Sequence, residues 1–233
     1  MCRLSQTLGR RTNMLQPSPF LEYVVDEYFR ARRLRSEHPR VTRGESRSVS
    51  ADVEDIFATQ VANAFPSIEH IYVNQTLTST SGRLDGRMKP DLVICKGSSV
   101  RLLIDLKMDV GYKRQDFVVA AALRSDEVRS LRGKTVSLWK KLDDTRRRLE
   151  YEVDQSTLYA YVVVTDANVK ASDYEAIKSC VGKLPELRLF TLVTGTHLNL
   201  YKMSEQEAKA KVLENACTNE FAALSTLISA AAA

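Results

Sequence analysis

Asp91, Asp105 and Lys107 are the residues of this 233-residue chain whose types and spacing suit a reaction. Asp91 follows Pro90 and opens an apolar run that ends at Cys95, while Asp105 and Lys107 stand two apart in a second run, Val100 to Lys107. A strand has a period of two, so Asp105 and Lys107 share a face. Lys96-Gly97-Ser98-Ser99 between the runs has the composition of a tight hairpin turn, which brings the neighbourhoods of Asp91 and Asp105 opposite one another. Charges set among Leu102, Leu103, Ile104 and Leu106 are costly unless they pair or hold a metal. Two converging carboxylates suit a hard cation such as Mg2+, which takes a few carboxylates and completes its shell with water and phosphate oxygens. Such an ion polarises a phosphate and acidifies a bound water. Lys107 is then placed to hold or deprotonate that water and to offset developing charge. The alternative is a surface hairpin carrying an ordinary Asp105 to Lys107 ion pair.

The elements that must position these residues follow from pattern. Ser18 to Arg33 reads as a helix capped by Ser18, with Pro19 in its first turn and Phe20, Val24 and Tyr28 near helical spacing. Ser50 is expected to cap a second helix reaching Phe65, with Val53, Phe57 and Val61 in its apolar stripe and Pro66 closing it. At about 100° per residue Glu54 borders that stripe and Asp55 points away. Ile68 to Thr78 reads as one strand, Asp116 to Leu131 and Thr135 to Glu150 as helices, Leu158 to Thr165 and Leu187 to Val193 as strands around a helix at Asp173 to Val181. His197 to Tyr201 reads as a shorter strand, and the alanine-rich tail from Ser204 to Ala230 as helical, serving packing or subunit contact. Gln155 and Tyr159 run into a strand-like segment and receive no role. This alternation predicts an α/β fold, a mixed central sheet flanked by helices. One folding unit is expected, comprising an N-terminal helix and basic arm over residues 1–48, a core over 49–203 and a C-terminal helix over 204–233.

Composition narrows the classes. With 44% hydrophobic and 27% charged residues the chain is ordinary for a globular protein. No apolar run approaches the roughly 20 residues of a membrane span, and Met1 to Arg11 lacks the apolar stretch of a signal peptide, so no membrane and a cytoplasmic location are expected. Four scattered cysteines and three scattered histidines suggest neither disulfides nor zinc. No phosphate-binding Gly-x-x-x-x-Gly-Lys loop is present, so no nucleotide cofactor is expected. Residues 1–150 hold 27 Lys and Arg against 19 Asp and Glu, and residues 151–233 hold 7 against 10. The positive field of the first part suits a polyanion. Arg30 to Arg47 carries seven arginines, Arg40, Arg43 and Arg47 among them, in a Gly-, Pro- and Ser-containing connection. It is either a solvated linker or an arm that grips phosphates.

Pro90-Asp91, thirteen intervening residues and Asp105-Leu106-Lys107 together resemble the PD-(D/E)xK nuclease motif, and the likeness extends over residues 50 to 110. The resemblance implies a restriction-endonuclease-like core and a catalytic set of Glu54, Asp91, Asp105 and Lys107. Asp91, Asp105 and Glu54 would hold Mg2+, with Mn2+ able to substitute. Arg83, Arg87 and Lys89 before the centre, and Lys113 and Arg114 after it, would join Arg40, Arg43 and Arg47 on phosphates. Asp109, and Asp85 in place of Asp91, rank below the main four. In a chain of this size the resemblance points to a type II restriction endonuclease that cuts double-stranded DNA to leave 5′-phosphates and works as a homodimer on palindromic sites. A repair or mobile-element nuclease of the same fold is the near alternative, and a non-catalytic DNA-binding protein the distant one.

Overall fold

The computed structural model describes residues 14–33, 48–79, 87–111, 114–142 and 145–233. Within them, eight strands form one mixed sheet flanked by six helices. The elements are α1 (Pro17–Arg33), α2 (Ser50–Ala64), β1 (His70–Val73), β2 (Leu77–Ser79), β3 (Arg87–Met88), β4 (Leu92–Lys96), β5 (Ser99–Lys107), α3 (Arg114–Leu131), β6 (Thr135–Leu142), β7 (Thr145–Thr165), α4 (Ala171–Val181), β8 (Leu187–Val193), α5 (Glu205–Glu214) and α6 (Thr218–Ala232). The sheet order is β1-β4-β5-β7-β6-β2-β3, with β8 paired on β7. β5, β7 and β8 run parallel, and the remaining pairs are antiparallel.

Both faces of the central strands are covered, which is why they read as unbroken apolar runs. Leu92, Ile94, Leu102, Ile104, Leu106, Ala160 and Val162 pack with α1, α2, α5 and α6. On the other face Val93, Cys95, Leu103, Tyr159, Tyr161 and Val163 pack with α3, α4 and the inner sides of β2, β3 and β6. The chain crosses between distant strands by short links. Asn74 to Thr76 joins β1 to β2, and Lys89 to Asp91 joins β3 to β4, although each pair is five strand spacings apart in the sheet order. A flat sheet would separate them by about 24 Å, whereas three linking residues reach at most about 14 Å. The sheet therefore curls until its two sides approach, and both links lie at that closure. Asn74 adopts φ 56°, a left-handed conformation that asparagine tolerates well. Its N–H donates to the carbonyl of Asp91 at 2.7 Å, tying one link to the other.

Several elements differ from those the sequence pattern predicts. Thr135 to Glu150 is a hairpin of β6 and the start of the 21-residue β7, not a helix. Its lysines, arginines and leucines favour helix, but Val136 and Leu138 pair across to Tyr151 and Leu149 and bury one side of the ribbon, a period of two that overrides propensity. The single strand expected from Ile68 to Thr78 is broken at Asn74 into β1 and β2. Val49 rather than Ser50 precedes α2, and no side chain caps it. His197 to Tyr201 forms no strand. The tail is two helices: Ser204 and Glu207 form a capping box that starts α5, and α6 lays Phe221, Leu224 and Ile228 into the core. No helix of the described residues is long and apolar enough to cross a membrane.

Candidate active site

The β4–β5 hairpin turns through Gly97 and Ser98, with Gly97 at φ 56°. Leu92 pairs with Ile104, so the next rung sets Asp91 against Asp105. Backbone and carboxylates then interlock. The N–H of Leu106 donates to Asp91 Oδ2 at 2.7 Å, and the N–H of Asp91 lies 3.4 Å from Asp105 Oδ1. Lys107 Nζ stands 3.0 Å from Asp105 Oδ2 and 3.6 Å from Asp91 Oδ2. Three charged groups thus meet at the C-terminal end of a buried strand, with Asp105 only 6% exposed and Lys107 opening to solvent. The parallel neighbours set Tyr161 beside Asp105 and Val163 beside Lys107.

Glu54 reaches the same region from α2. It is 9% exposed while Asp55 is exposed, as the helical wheel requires. Its Oε2 accepts from Asn74 Nδ2 at 3.4 Å, so the residue that ties the two crossover links also steadies this acid. Burial, and next the negative charge of Asp91, push the Glu54 carboxyl up to about 7. Asp91 is raised as well, by burial first and by Asp105 second, against the opposing pull of Lys107. One ammonium does not neutralise three acids.

Tyr159 and Arg124 border the centre as well. Tyr159 is fully buried, its hydroxyl has no hydrogen-bond partner among the described residues, and burial followed by the Asp105 charge raises its pKa. Arg124 of α3 stands over the Tyr159 ring at 5.1 Å and bonds Glu127 at 2.7 Å. Its signal was present in the sequence: Phe117, Ala121, Arg124, Val128 and Leu131 recur at helical spacing, so an arginine occupies a core-facing position. Tyr161 is likewise pushed up to about 12 by burial and then by Asp105.

Arg87 in β3 and Lys89 after it are exposed on the approach to Asp91. Arg114 is the first residue of α3. Arg40, Arg43, Arg47, Arg83, Asp85 and Lys113 lie outside the described residues. Asp109 accepts from Asn168 Nδ2, in the segment before α4, at 2.6 Å and lies against Gly111, where an added Cβ would come within 2.5 Å of its Oδ1.

The donor set is hard oxygen carrying surplus negative charge, the chemistry that Mg2+ favours. Among the described residues no group of three or more His, Cys, Asp or Glu could by itself hold a metal ion. Asp91 and Asp105 supply two oxygen donors, with the half-exposed Lys107 beside them. No family model, curated protein or solved structure matches the chain.

Proposed function

We propose that this chain is a Mg2+-dependent endonuclease acting on double-stranded DNA, with a restriction-endonuclease-like core and a PD-(D/E)xK type of centre. The observation that carries the proposal is the meeting of Asp91, Asp105 and Lys107 on the β4–β5 hairpin, with Asp91 held by the N–H of Leu106. The upward shifts of the Glu54 and Asp91 carboxyls support it, because buried carboxylates that share too few cations favour binding another one. Asp91 and Asp105 would hold the ion directly, and Glu54 would hold or orient it. When bound, the ion polarises the scissile phosphate and acidifies a water.

The chain's own groups do the rest. The Leu106 N–H fixes one oxygen of Asp91 and leaves the other free to act as a ligand or to accept a proton. Lys107 is half-exposed, so its ammonium can leave the carboxylates, orient the attacking water and face the charge that builds on the phosphorus oxygens. Arg87 in β3 and Lys89 on the link that delivers Asp91 are placed to meet flanking phosphates. A type II restriction enzyme acting as a homodimer and leaving 5′-phosphates is the form this proposal takes.

The decisive experiment incubates supercoiled plasmid and phage DNA with the protein in Mg2+ and in chelator. Discrete metal-dependent fragments are expected for restriction, and a smear would assign a less selective repair or mobile-element nuclease. Intact DNA in both conditions would reject catalysis. The second reading, a DNA-binding protein without cutting activity, draws on the ion pair between Lys107 and Asp105, which satisfies that pair without a metal. Retarded but intact plasmid would favour it.

A further inference from the structure

The β6–β7 ribbon stacks like charges across its strands. Trp139 pairs with Arg148, Lys140 with Arg147 and Lys141 with Arg146 in the backbone register. Cations directly opposite one another destabilise an antiparallel pair, and among the described residues neither Lys140, Arg147 nor Arg148 pairs with an acid. From Trp139 to Arg148 there are five Lys and Arg against Asp143 and Asp144. Lys140 and Arg147 continue the side on which Leu138 and Leu149 lie, while Trp139 and Arg148 occupy the other, so the ribbon is positive on both faces. A flat anionic surface or one acidic helix meets a single face. A groove with phosphates on both walls meets two, and the major groove of duplex DNA is wide enough for a two-stranded ribbon.

The place of the ribbon agrees with that partner. β2 pairs antiparallel with both β3 and β6, so β3 and β6 run in the same direction. The rung Leu77–Met88 extends to Leu138, beyond which β6 continues into Trp139 and Lys140 while β3 continues into Lys89, Pro90 and Asp91. The cationic rungs thus start on the same side of that rung as the candidate centre.

We propose that the β6–β7 ribbon is a DNA-gripping element, engaging the phosphates of duplex DNA through Lys140, Arg147 and Arg148 while Trp139 lies in the contact. This rests on the DNA reading above but not on cutting, and it is tested without metal. Trp139 is the chain's one tryptophan and is 47% exposed, so its fluorescence reports the ribbon alone. The full-length protein is titrated in chelator with a fluorescently labelled 30-base-pair duplex, following anisotropy of the DNA and emission of the tryptophan together. Quenching or a spectral shift of Trp139 that saturates with the anisotropy is expected. The triple variant Lys140→Ser, Arg147→Ser, Arg148→Ser should bind at least tenfold more weakly at about 0.1 M salt, with the slope of log K against log salt smaller by about 2 to 3. Anisotropy that rises without any change in Trp139 would overturn the proposal, even if the triple variant were misfolded. An unchanged salt slope in a folded triple variant would overturn it too, as would saturation by anionic vesicles or polyglutamate but not by duplex. A parent that grips DNA through the ribbon yet never cuts keeps this proposal and defeats the nuclease; a folded triple variant whose cutting and binding match the parent's does the reverse.

Discussion

Glu54 and Glu186 are both hidden from solvent, at 9% and 4% exposure, and yet their carboxyls are driven in opposite directions. Glu186, where the chain enters β8, accepts from Arg129 Nε and Nη2, each at 3.0 Å, and from Ser125 Oγ at 2.6 Å. The Arg129 hydrogen bonds, acting against burial and helped by Ser125, hold it down to about 2. Glu54 has one long bond from Asn74 and a like-charged neighbour in Asp91, and rises to about 7. The first acid is a finished structural joint between α3 and the sheet. The second has been desolvated without being neutralised, an arrangement that persists only when the surrounding fold imposes it. Burial alone therefore does not distinguish a joint from a candidate centre, whereas the count of donors and cations does.

The comparison breaks most visibly in kinetics. Asp91→Ala and Lys107→Ala should each lower the Mg2+-dependent cutting rate by about 10³-fold or more, measured as single-turnover plasmid cleavage, with an unchanged circular-dichroism spectrum. Parental rates in either variant would remove the hairpin from the chemistry. Glu54→Gln should lower the rate by about 10- to 100-fold, the range for groups that orient a metal's ligands. Its stability effect has a definite sign. The folded-state value of about 7 lies above the ordinary 4.5, so in chelator the folded form holds this proton longer than the unfolded chain does. That contribution is complete below about pH 4.5 and is lost as pH rises to about 7. Urea unfolding at pH 5 and pH 8 should accordingly show a smaller decline for Glu54→Gln than for the parent. An identical decline would mean that Glu54 is not strained.

Much of the centre was legible because its determinants are local. A strand period, a glycine turn and a helical wheel together set the face shared by Asp105 and Lys107, the rung opposite Asp91 and the inward side of Glu54. The mixed sheet with its helices followed from the alternation of patterns. What stayed hidden depends on distant pairings. Nothing near Thr135 announces that Val136 will meet Tyr151, so helix-forming lysines and arginines concealed the ribbon. Nor does the segment around Asn74 reveal that it must bridge two sides of a curled sheet. Tyr159 became a neighbour of Asp105 only through the parallel pairing of β5 with β7, a contact spanning more than fifty residues.

Glu186 should respond in the opposite way to Glu54. Glu186→Ala removes charge-assisted bonds from Arg129 and Ser125 and should cost about 2 kcal/mol, read as a lower urea midpoint with an unchanged slope. The cutting rate per folded molecule should stay at the parental value, because the joint touches none of Asp91, Asp105 or Lys107. A loss of rate without a loss of stability would show that the joint and the centre are coupled through α3, whose Arg124 lies over Tyr159.

The smallest effect separates the two sites most finely. Tyr159 has its hydroxyl buried beside Asp105 without a full hydrogen bond, so Tyr159→Phe removes a polar group that was poorly satisfied and leaves the ring packing in place. Thermal stability should change by less than about 0.5 kcal/mol in either direction. If the hydroxyl serves only to fill space, the rate is unchanged at every pH. If it meets the Asp105 carboxylate during the reaction, the rate falls by up to about tenfold. A destabilisation of 2 kcal/mol or more would instead place Tyr159 with Glu186, as a satisfied structural group, and draw the boundary of the strained region at Asp105 itself.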